Sequence, residues 1–454
     1  MSTYSFKNAI LNNASHFPNP VNNVLLKMNR FPGLIYGAKY MEYLKKLETE
    51  HYYEYDNTND LLNMVNYVID NTPYYADKYS KKIDSTEEFR STFGFINKDI
   101  IMEDPSKFIS KNIDFSKYDR VTTAGTSGKP LALYVPQSRY ISELSNMHFL
   151  WKKAGFDYET RAVFRNHKFR DNDVYMINPI TKEFYFNNYT LTNDYVKQAY
   201  VTIRNKRINI LHGYTSGVYQ FCLMCKEQGL DLSFIKVVLC ASEGIQEFQR
   251  KLLVDELGLK LYNWYGHTEK LVLGGYCEHS DNYHMENRYG YFELIDDKGQ
   301  PVTTAGEVGE IVGTTFMNKG MPFIRYRTGD YAEYVGNYCD KCKRHLPIIK
   351  NLQGRRDKNI IYKRDGTCLS TTCLNLHDEL YDVINGFQYI QEEAGMLRVL
   401  IVKGDKFNDS HGDAFSKHYR KSMGEDSTVI IEYVDKLIYQ PNGKFLLLIS
   451  TLKQ

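Results

Sequence analysis

An α/β architecture, with a large N-terminal part and a smaller C-terminal one, follows from three features of the sequence. IKVVLCASEG (235–244), QEFQRKLLVDELG (246–258) and LKLYNWYG (259–266) read as buried strand, helix and next strand, the order of a parallel unit with a right-handed crossover. From 290 to 335 the pattern turns to short strands with glycine turns, as in GYFELIDDKGQ and GEVGEIVGTT. The 454 residues are too many for one core at about 100–200 residues per domain, so the N-terminal part is expected to hold several subdomains with parallel sheets and helices.

The elements follow in order. Up to 120 the chain reads as helical and irregular, with periodic apolar positions in NVLLKMNRF (23–31) and LLNMVNYVI (61–69). Pro73 is expected to break the second helix. VTTAGTSGKPLALYVP (121–136) reads as a glycine loop between β-prone pieces, and LHGYTSGVYQFCLMCKEQG (211–229) as turn residues running into an amphipathic helix. After GRRD (354–357) a further set of strands and helices ends in FLLLISTLK. That stretch, about a hundred residues, suits a small α+β domain. No repeat or low-complexity linker separates it, so the division is placed between 1–353 and 354–454, with a tight hinge near Arg356 and Asp357.

Composition excludes several functions. Lys and Arg number 57 against 55 Asp and Glu, a formal charge of +2, whereas a nucleic-acid or anionic-membrane binder needs a basic excess. Hydrophobic residues at 43% and charged residues at 25% are those of an ordinary globular chain. The 38 Tyr beside 2 Trp read as a compositional bias. No window approaches the roughly 20 apolar residues of a membrane span. The opening MSTYSFKNAILNNASHFPNP lacks the pattern of a secretion signal. Eight cysteines are too sparse for a disulfide scaffold. A cytoplasmic setting is therefore expected, with clustered cysteines read first as metal ligands or core residues.

Several short motifs carry chemistry. Thr122–Pro130 (TTAGTSGKP) combines glycines, hydroxyls and one lysine, which can aim backbone N–H groups and a cation at phosphate oxygens. Its spacing is two residues too short for a Walker loop, and Pro130 stands where that loop has Ser or Thr; the bland alternative is a hairpin turn. Tyr265-Gly266-His267-Thr268-Glu269 follows a predicted parallel strand, where ligands of open sheets gather. The ring can stack on a base and the carboxylate can hold Mg2+, against the alternative of a solvated surface loop. Arg325-Tyr326-Arg327-Thr328-Gly329-Asp330 can present a carboxylate to both hydroxyls of a ribose, or be a hairpin with Asp330 capping a turn and arginines in water. Gly354-Arg355-Arg356-Asp357 sits at the domain joint, and Pro441-Asn442-Gly443-Lys444 offers one lysine on a glycine turn.

Taken together, in this order and with these gaps, the motifs resemble the adenylate-forming superfamily of acyl-CoA synthetases, adenylation domains and luciferases. More narrowly the chain resembles the phenylacetate–CoA ligase family and its capsular-polysaccharide-associated relatives. TPYYADKY (72–79), INKDI (96–100) and SEG (242–244) extend the likeness nearly end to end. The resemblance implies that Thr123, Gly125, Thr126, Ser127, Gly128 and Lys129 cradle the ATP phosphates, with Ser242, Glu243 and Gly244 in the nucleotide-binding loop. It places Tyr265, Gly266 and Thr268 against the nucleotide, Glu269 on Mg2+, Asp330 on the ribose and Arg355 on the nucleotide. Asp357 becomes the hinge, and Lys444 the mobile lysine of a C-terminal lid domain. Lys129, Glu269 and Lys444 are then the catalytic residues. The implied reaction is attack of a carboxylate on the α-phosphate of ATP, loss of pyrophosphate, and transfer of the acyl group to a thiol, CoA first, or to an amine. The partners are thus a small-molecule acid and its acceptor, without nucleic acid or membrane span, and with a homodimer as an open oligomeric option.

A separate signal lies in the cysteines. Cys339-Asp340-Lys341-Cys342 is a C-x2-C knuckle, and with Cys277 and His284 it makes a Cys3His set suited to closed tetrahedral zinc. The phenylacetate–CoA ligase resemblance strengthens this reading, with His279 as competing ligand, and the metal is expected to pin two loops beside the nucleotide pocket. Cys222 and Cys225, on a predicted amphipathic helix, read as core. Departures from the family include Lys358 after the hinge and the polar, tyrosine-rich 174–195 in place of an aromatic acid pocket. They point to an acid more polar than phenylacetate. A zinc-knuckle nucleic-acid binder and a pseudoenzyme are the rival readings.

Overall fold

The computed structural model describes residues 19–28, 36–49, 55–123, 131–165, 173–187, 191–242, 247–353, 360–374, 383–404, 406–435 and 447–452, with the single positions 33, 245, 376, 380, 437 and 438. The chain begins in helices: α1 (Asn19–Met28), α2 (Ala38–Leu47), α3 (Thr58–Asn71), α4 (Pro73–Ala76), α5 (Thr86–Thr92) and α6 (Lys98–Glu103). Leu61, Met64, Val65, Val68 and Ile69 bury one face of α3, at the spacing that the sequence predicts. Thr72 is extended and Pro73 opens α4 at its first turn, where a missing N–H costs nothing. The predicted break is there.

β1 (Tyr118–Thr122) and β2 (Ala132–Pro136) form an antiparallel hairpin. Next come α7 (Arg139–Lys153), β3 (Arg161–Arg165), β4 (Tyr175–Asn178), β5 (Glu183–Asn187), α8 (Asn193–Asn205), β6 (Ile210–Tyr214), α9 (Thr215–Glu227) and β7 (Val237–Ala241). α10 (Glu247–Arg250) runs on as a π-helical turn, Lys251–Glu256, before β8 (Leu261–Gly266). β9 (Leu273–Cys277), β10 (Ser280–Met285), β11 (Gly290–Ile295), β12 (Val308–Thr315), β13 (Tyr326–Gly336) and β14 (Ile348–Gln353) complete the first part. One prediction is corrected: 211–214 is the end of a strand, because Leu211 and Gly213 pack between the parallel neighbours β3 and β7. A Cβ on Gly213 would meet the Phe164 carbonyl at 2.3 Å, so the glycine serves close strand packing and not a turn.

β3 to β14 make one twelve-stranded sheet in the order β11-β12-β13-β14-β10-β9-β8-β7-β6-β3-β5-β4. From β5 through β3, β6 and β7 to β8 the pairs are parallel; from β8 to β11 they are antiparallel. β7 is buried at every residue, as a parallel strand covered on both faces must be. Val237, Leu239 and Ala241 face the core shared with Leu150 and Trp151 of α7. Val238 and Cys240 face the core built by α8 and α9. Cys222 and Cys225 belong to that second core, as expected.

Beyond Gln353 the described chain resumes with the hairpin β15 (Ile360–Tyr362) and β16 (Cys368–Ser370). A second sheet follows: β17 (Ile384–Gln391), β18 (Met396–Lys403), β19 (Thr428–Tyr433) and β20 (Leu448–Ser450), ordered β19-β18-β17-β20. Helix α11 (Asp409–Met423) buries Phe415, Tyr419 and Met423 in its core. Tyr214, the last residue of β6, packs against that core, and β16 lies against α9. The C-terminal part therefore rests at the carboxyl ends of the parallel strands. Among the described residues, no helix is long and apolar enough to cross a membrane.

Candidate functional site

Two of the predicted motifs meet at the carboxyl end of β8. Tyr265, on its penultimate residue, donates its hydroxyl to Asp330 Oδ2 at 2.8 Å. The charges of Asp330 and Glu269 both bear on that hydroxyl, so Glu269 is close by. Burial first, then Asp330, raises the Tyr265 pKa well above its ordinary 10, so it remains a donor. His267 folds back to hydrogen-bond the same hydroxyl, its ring edge-on to Tyr265 at 4.6 Å, which gives it a role the sequence left open. Gly266 ends β8, and Thr268 and Glu269 form a turn followed by Lys270, whose φ is 58°. Ser242, just past β7, has a φ of 68°. Such left-handed backbone at non-glycine positions concentrates at functional sites.

Asp330 is presented by a bulge. Glu310 pairs with Tyr331 and Val312 with Arg327, so Thr328, Gly329 and Asp330 together oppose Ile311 and are pushed out of the ladder. Gly329 takes a φ of 75° there, a conformation that glycine adopts without strain. Glu310 holds the bulge, accepting from Gly329 N at 2.8 Å and Arg327 Nε at 2.7 Å. Thr328 Oγ1 donates to Ile311 O at 2.7 Å. Arg325 does not face water: 4% exposed, it pairs with Glu293 through Nε and NH2 at 3.1 and 3.0 Å, whereas Arg327 is partly exposed and pairs with Glu310.

The glycine motif is bracketed by Thr123, whose N donates to Leu131 O at 2.9 Å while its Oγ1 accepts from Leu131 N at 3.1 Å. Gly125, Thr126, Ser127, Gly128 and Lys129 lie outside the described residues, as do Glu243, Gly244, Arg355, Arg356, Asp357, Lys358 and Lys444. The hairpin that carries the loop is tied to the Tyr265 turn by residues that the motif reading missed. Asn318 Nδ2 donates to Tyr134 O at 2.7 Å, and Thr315 Oγ1 donates to Lys270 O at 2.7 Å while accepting from Asn318 N at 3.2 Å. Their signal, a buried polar run after a strand, is visible only once the strand pairing is known.

Cys277, His284, Cys339 and Cys342 are brought together, with ligand atoms all within 4.8 Å of one another. His279 is outside the cluster and offers its carbonyl to Lys341 Nζ at 3.2 Å. Tetrahedral zinc with bonds of about 2.0–2.3 Å has ligand–ligand edges of about 3.6–3.8 Å, and Cys342 Sγ lies 3.7 Å from His284 Nδ1. His284 Nε2 is buried with no hydrogen-bond partner. Burial, with Lys153 and Arg344 nearby, lowers the His284 pKa to about 4, so the imidazole is neutral, as a ligand must be. The donor set fits the metal. β9 runs antiparallel to β8, with Leu273 opposite Gly266 and Gly275 opposite Trp264, so Cys277 lies toward the amino end of β8. Cys277 is thus roughly 10 Å along the strand from Tyr265, while His284 pairs with Gly275 and stands level with Trp264; the cluster joins the β9–β10 hairpin to the connection between β13 and β14.

A sheet parallel on one side and antiparallel on the other, with a small C-terminal body resting at its strand ends, is the fold of the adenylate-forming ligases. Among solved structures, 2-hydroxyisobutyryl-CoA ligase in complex with 2-HIB-AMP and CoA in the thioesterification state aligns with a TM-score of 0.57 and 14% identity over 86% of this chain and 88% of that one. The same enzyme in an open conformation gives 0.54 and 14%, over 86% and 90%. Residues 361–451 match the CapK C-terminal domain. The chain is 21% identical to Protein CapK of Staphylococcus aureus, over 93% of this chain and 97% of that protein. The expected resemblance is thus borne out in fold and in its capsule-associated branch.

Proposed function

We propose that this protein is an AMP-forming carboxylate ligase that activates a small carboxylic acid with ATP and passes the acyl group to CoA. The observation that carries the reading is the hydrogen bond between Tyr265 and Asp330, which unites two motifs of that chemistry from separate strands at the carboxyl end of a parallel sheet. On this reading Asp330 accepts the two ribose hydroxyls, and Tyr265 flanks the base. Thr123 to Lys129, with Ser242 to Gly244, cradle the phosphates, and Arg355 reaches the nucleotide. Glu269 is the residue that would hold Mg2+, which when bound neutralises phosphate charge. Attack by a carboxylate on the α-phosphate brings two anions together. Lys129 and Lys444 supply the positive charge that the developing transition state needs. The lid, 354–454, turns about Asp357 between the two half-reactions and withdraws Lys444.

Cys277, His284, Cys339 and Cys342 hold a structural zinc, since four protein ligands leave no open position. A second reading differs only in the acceptor. On that reading the acyl group goes to an amine. The setting proposed is cytoplasmic. ATP–pyrophosphate exchange over a broad panel of acids tests the reading, followed by addition of CoA or amines to the exchanging acid. Exchange with at least one acid is expected, and none with any would sink it.

A further inference from the structure

Arg161 and Arg165 stand at the two ends of β3, and Val163 between them pairs with His212 of β6. By the alternation of a strand, these side chains share the sheet face that α7 covers. Arg161 and His212 are 3% and 2% exposed. Arg161 has a carboxylate partner: NH2 lies 2.9 Å from Glu183 Oε1 and 3.2 Å from Thr181 O, and the guanidinium sits 4.6 Å over the Trp151 ring, although its Nε is buried without a hydrogen-bond partner. Its NH1 is 3.0 Å from His212 Nδ1. A guanidinium can only donate, and a neutral imidazole can accept from only one of the two arginines; with Nδ1 taken as the acceptor from Arg161, which Glu183 holds in place, the imidazole proton is on Nε2. Burial, then Arg165 and Arg161, keeps this imidazole neutral by holding its pKa well below 6.5.

Nε2 is 3.0 Å from Arg165 NH2. Two donors therefore face each other, and Arg165 Nε is buried with no hydrogen-bond partner. Among the described residues no carboxylate lies within ion-pair contact of Arg165, although its charge bears on buried Glu183, the partner of Arg161. An oxyanion set between these groups would accept from both and convert a donor–donor conflict into two charge-assisted bonds. The place is apt for a ligand: β5 lies on one side of β3 and β6 on the other, and open sheets bind at the carboxyl ends where strand order diverges. The His212 ring is 5.5 Å from that of Trp264, the neighbour of Tyr265. β7 alone separates β6 from β8, which sets the donors roughly 10 Å across the sheet from the candidate site.

We infer that the acid activated here carries a second oxyanion several carbons from its reacting carboxylate, held by Arg165 and the Nε2–H of His212. The inference rests on the reading of the protein as an acid-activating enzyme. The test is ATP–pyrophosphate exchange with straight-chain monocarboxylates, α,ω-dicarboxylates and ω-phosphorylated acids of matched length, on the wild type, Arg165→Gln and Arg165→Lys. Dianionic acids are expected to give a kcat/KM at least tenfold above monocarboxylates, and the better of the two dianionic series identifies the group as carboxylate or phosphate. Arg165→Gln should erase the preference by raising KM, Arg165→Lys should restore part of it, and the stabilisation by ATP in a thermal melt should be unchanged in both. Equal use of monocarboxylates, or an unaltered preference in an Arg165→Gln protein that still binds ATP, overturns the inference while the adenylating reading stands. Exchange with no acid removes that reading and the inference with it.

Discussion

At Tyr265 one hydroxyl orients the carboxylate proposed to hold the ribose. Asp330→Ala removes a charged acceptor of two hydrogen bonds, each worth about 1.5–3 kcal/mol, so the KM for ATP in pyrophosphate exchange should rise by roughly a hundredfold or more. Tyr265→Phe keeps the ring and loses only the bond that orients Asp330, worth about 1 kcal/mol, and should raise that KM several-fold. A larger effect of Tyr265→Phe than of Asp330→Ala would reverse the roles assigned to the two groups. Both residues were legible in the sequence as motif members. Glu310, Thr315 and Asn318 were not, because nothing local marks a buried glutamate as the clamp of a bulge nineteen residues on.

At the scale of elements, the bulge in β13 and the metal cluster do different work. Arg325 and Glu293 join β13 to β11 through a buried ion pair whose carboxylate burial raises its pKa while the Arg325 charge opposes the rise. Glu293→Ala leaves a buried guanidinium without its counter-ion and should cost about 3–5 kcal/mol, read as a fall in the denaturation midpoint. The cluster ties the β9–β10 hairpin to the connection between β13 and β14. Purified protein should contain one zinc per chain, and Cys339→Ser should lose it and lower the melting temperature. Cys222→Ser, in the core of α9, should keep the metal. Because the cluster ties that hairpin to that connection, chelation should destabilise the protein, read as a lower melting temperature. Metal content near zero would remove the assignment.

For the whole molecule, the decisive relation is between the large sheet and the C-terminal body that packs on Tyr214 and α9. A lid carrying Lys444 to and from the phosphates predicts a split between half-reactions. Lys444→Ala should abolish adenylate formation, measured as pyrophosphate exchange, yet leave consumption of a supplied acyl-adenylate largely intact. Equal loss of both halves would count against the moving lysine.

Much of this architecture could be read in advance, since buried parallel strands such as β7 announce themselves by unbroken apolar runs and α3 by its periodicity. The motifs around Tyr265 and Asp330, and the four metal ligands, were likewise visible as short strings of suitable chemistry. Sequence alone therefore determined the fold class, the identity of the candidate groups and the expectation of a zinc cluster, because propensity, periodicity and ligand type are local properties. Tertiary structure alone decided where those groups stand. The registers of β8, β9 and β10 set Cys277 and His284 on neighbouring strands within reach of Cys339 and Cys342, and the pairing of β3 with β6 sets two arginines about one neutral histidine. Strand pairing joins residues far apart in the chain, and its register is chosen by the packing of both sheet faces at once, which no single stretch of sequence contains.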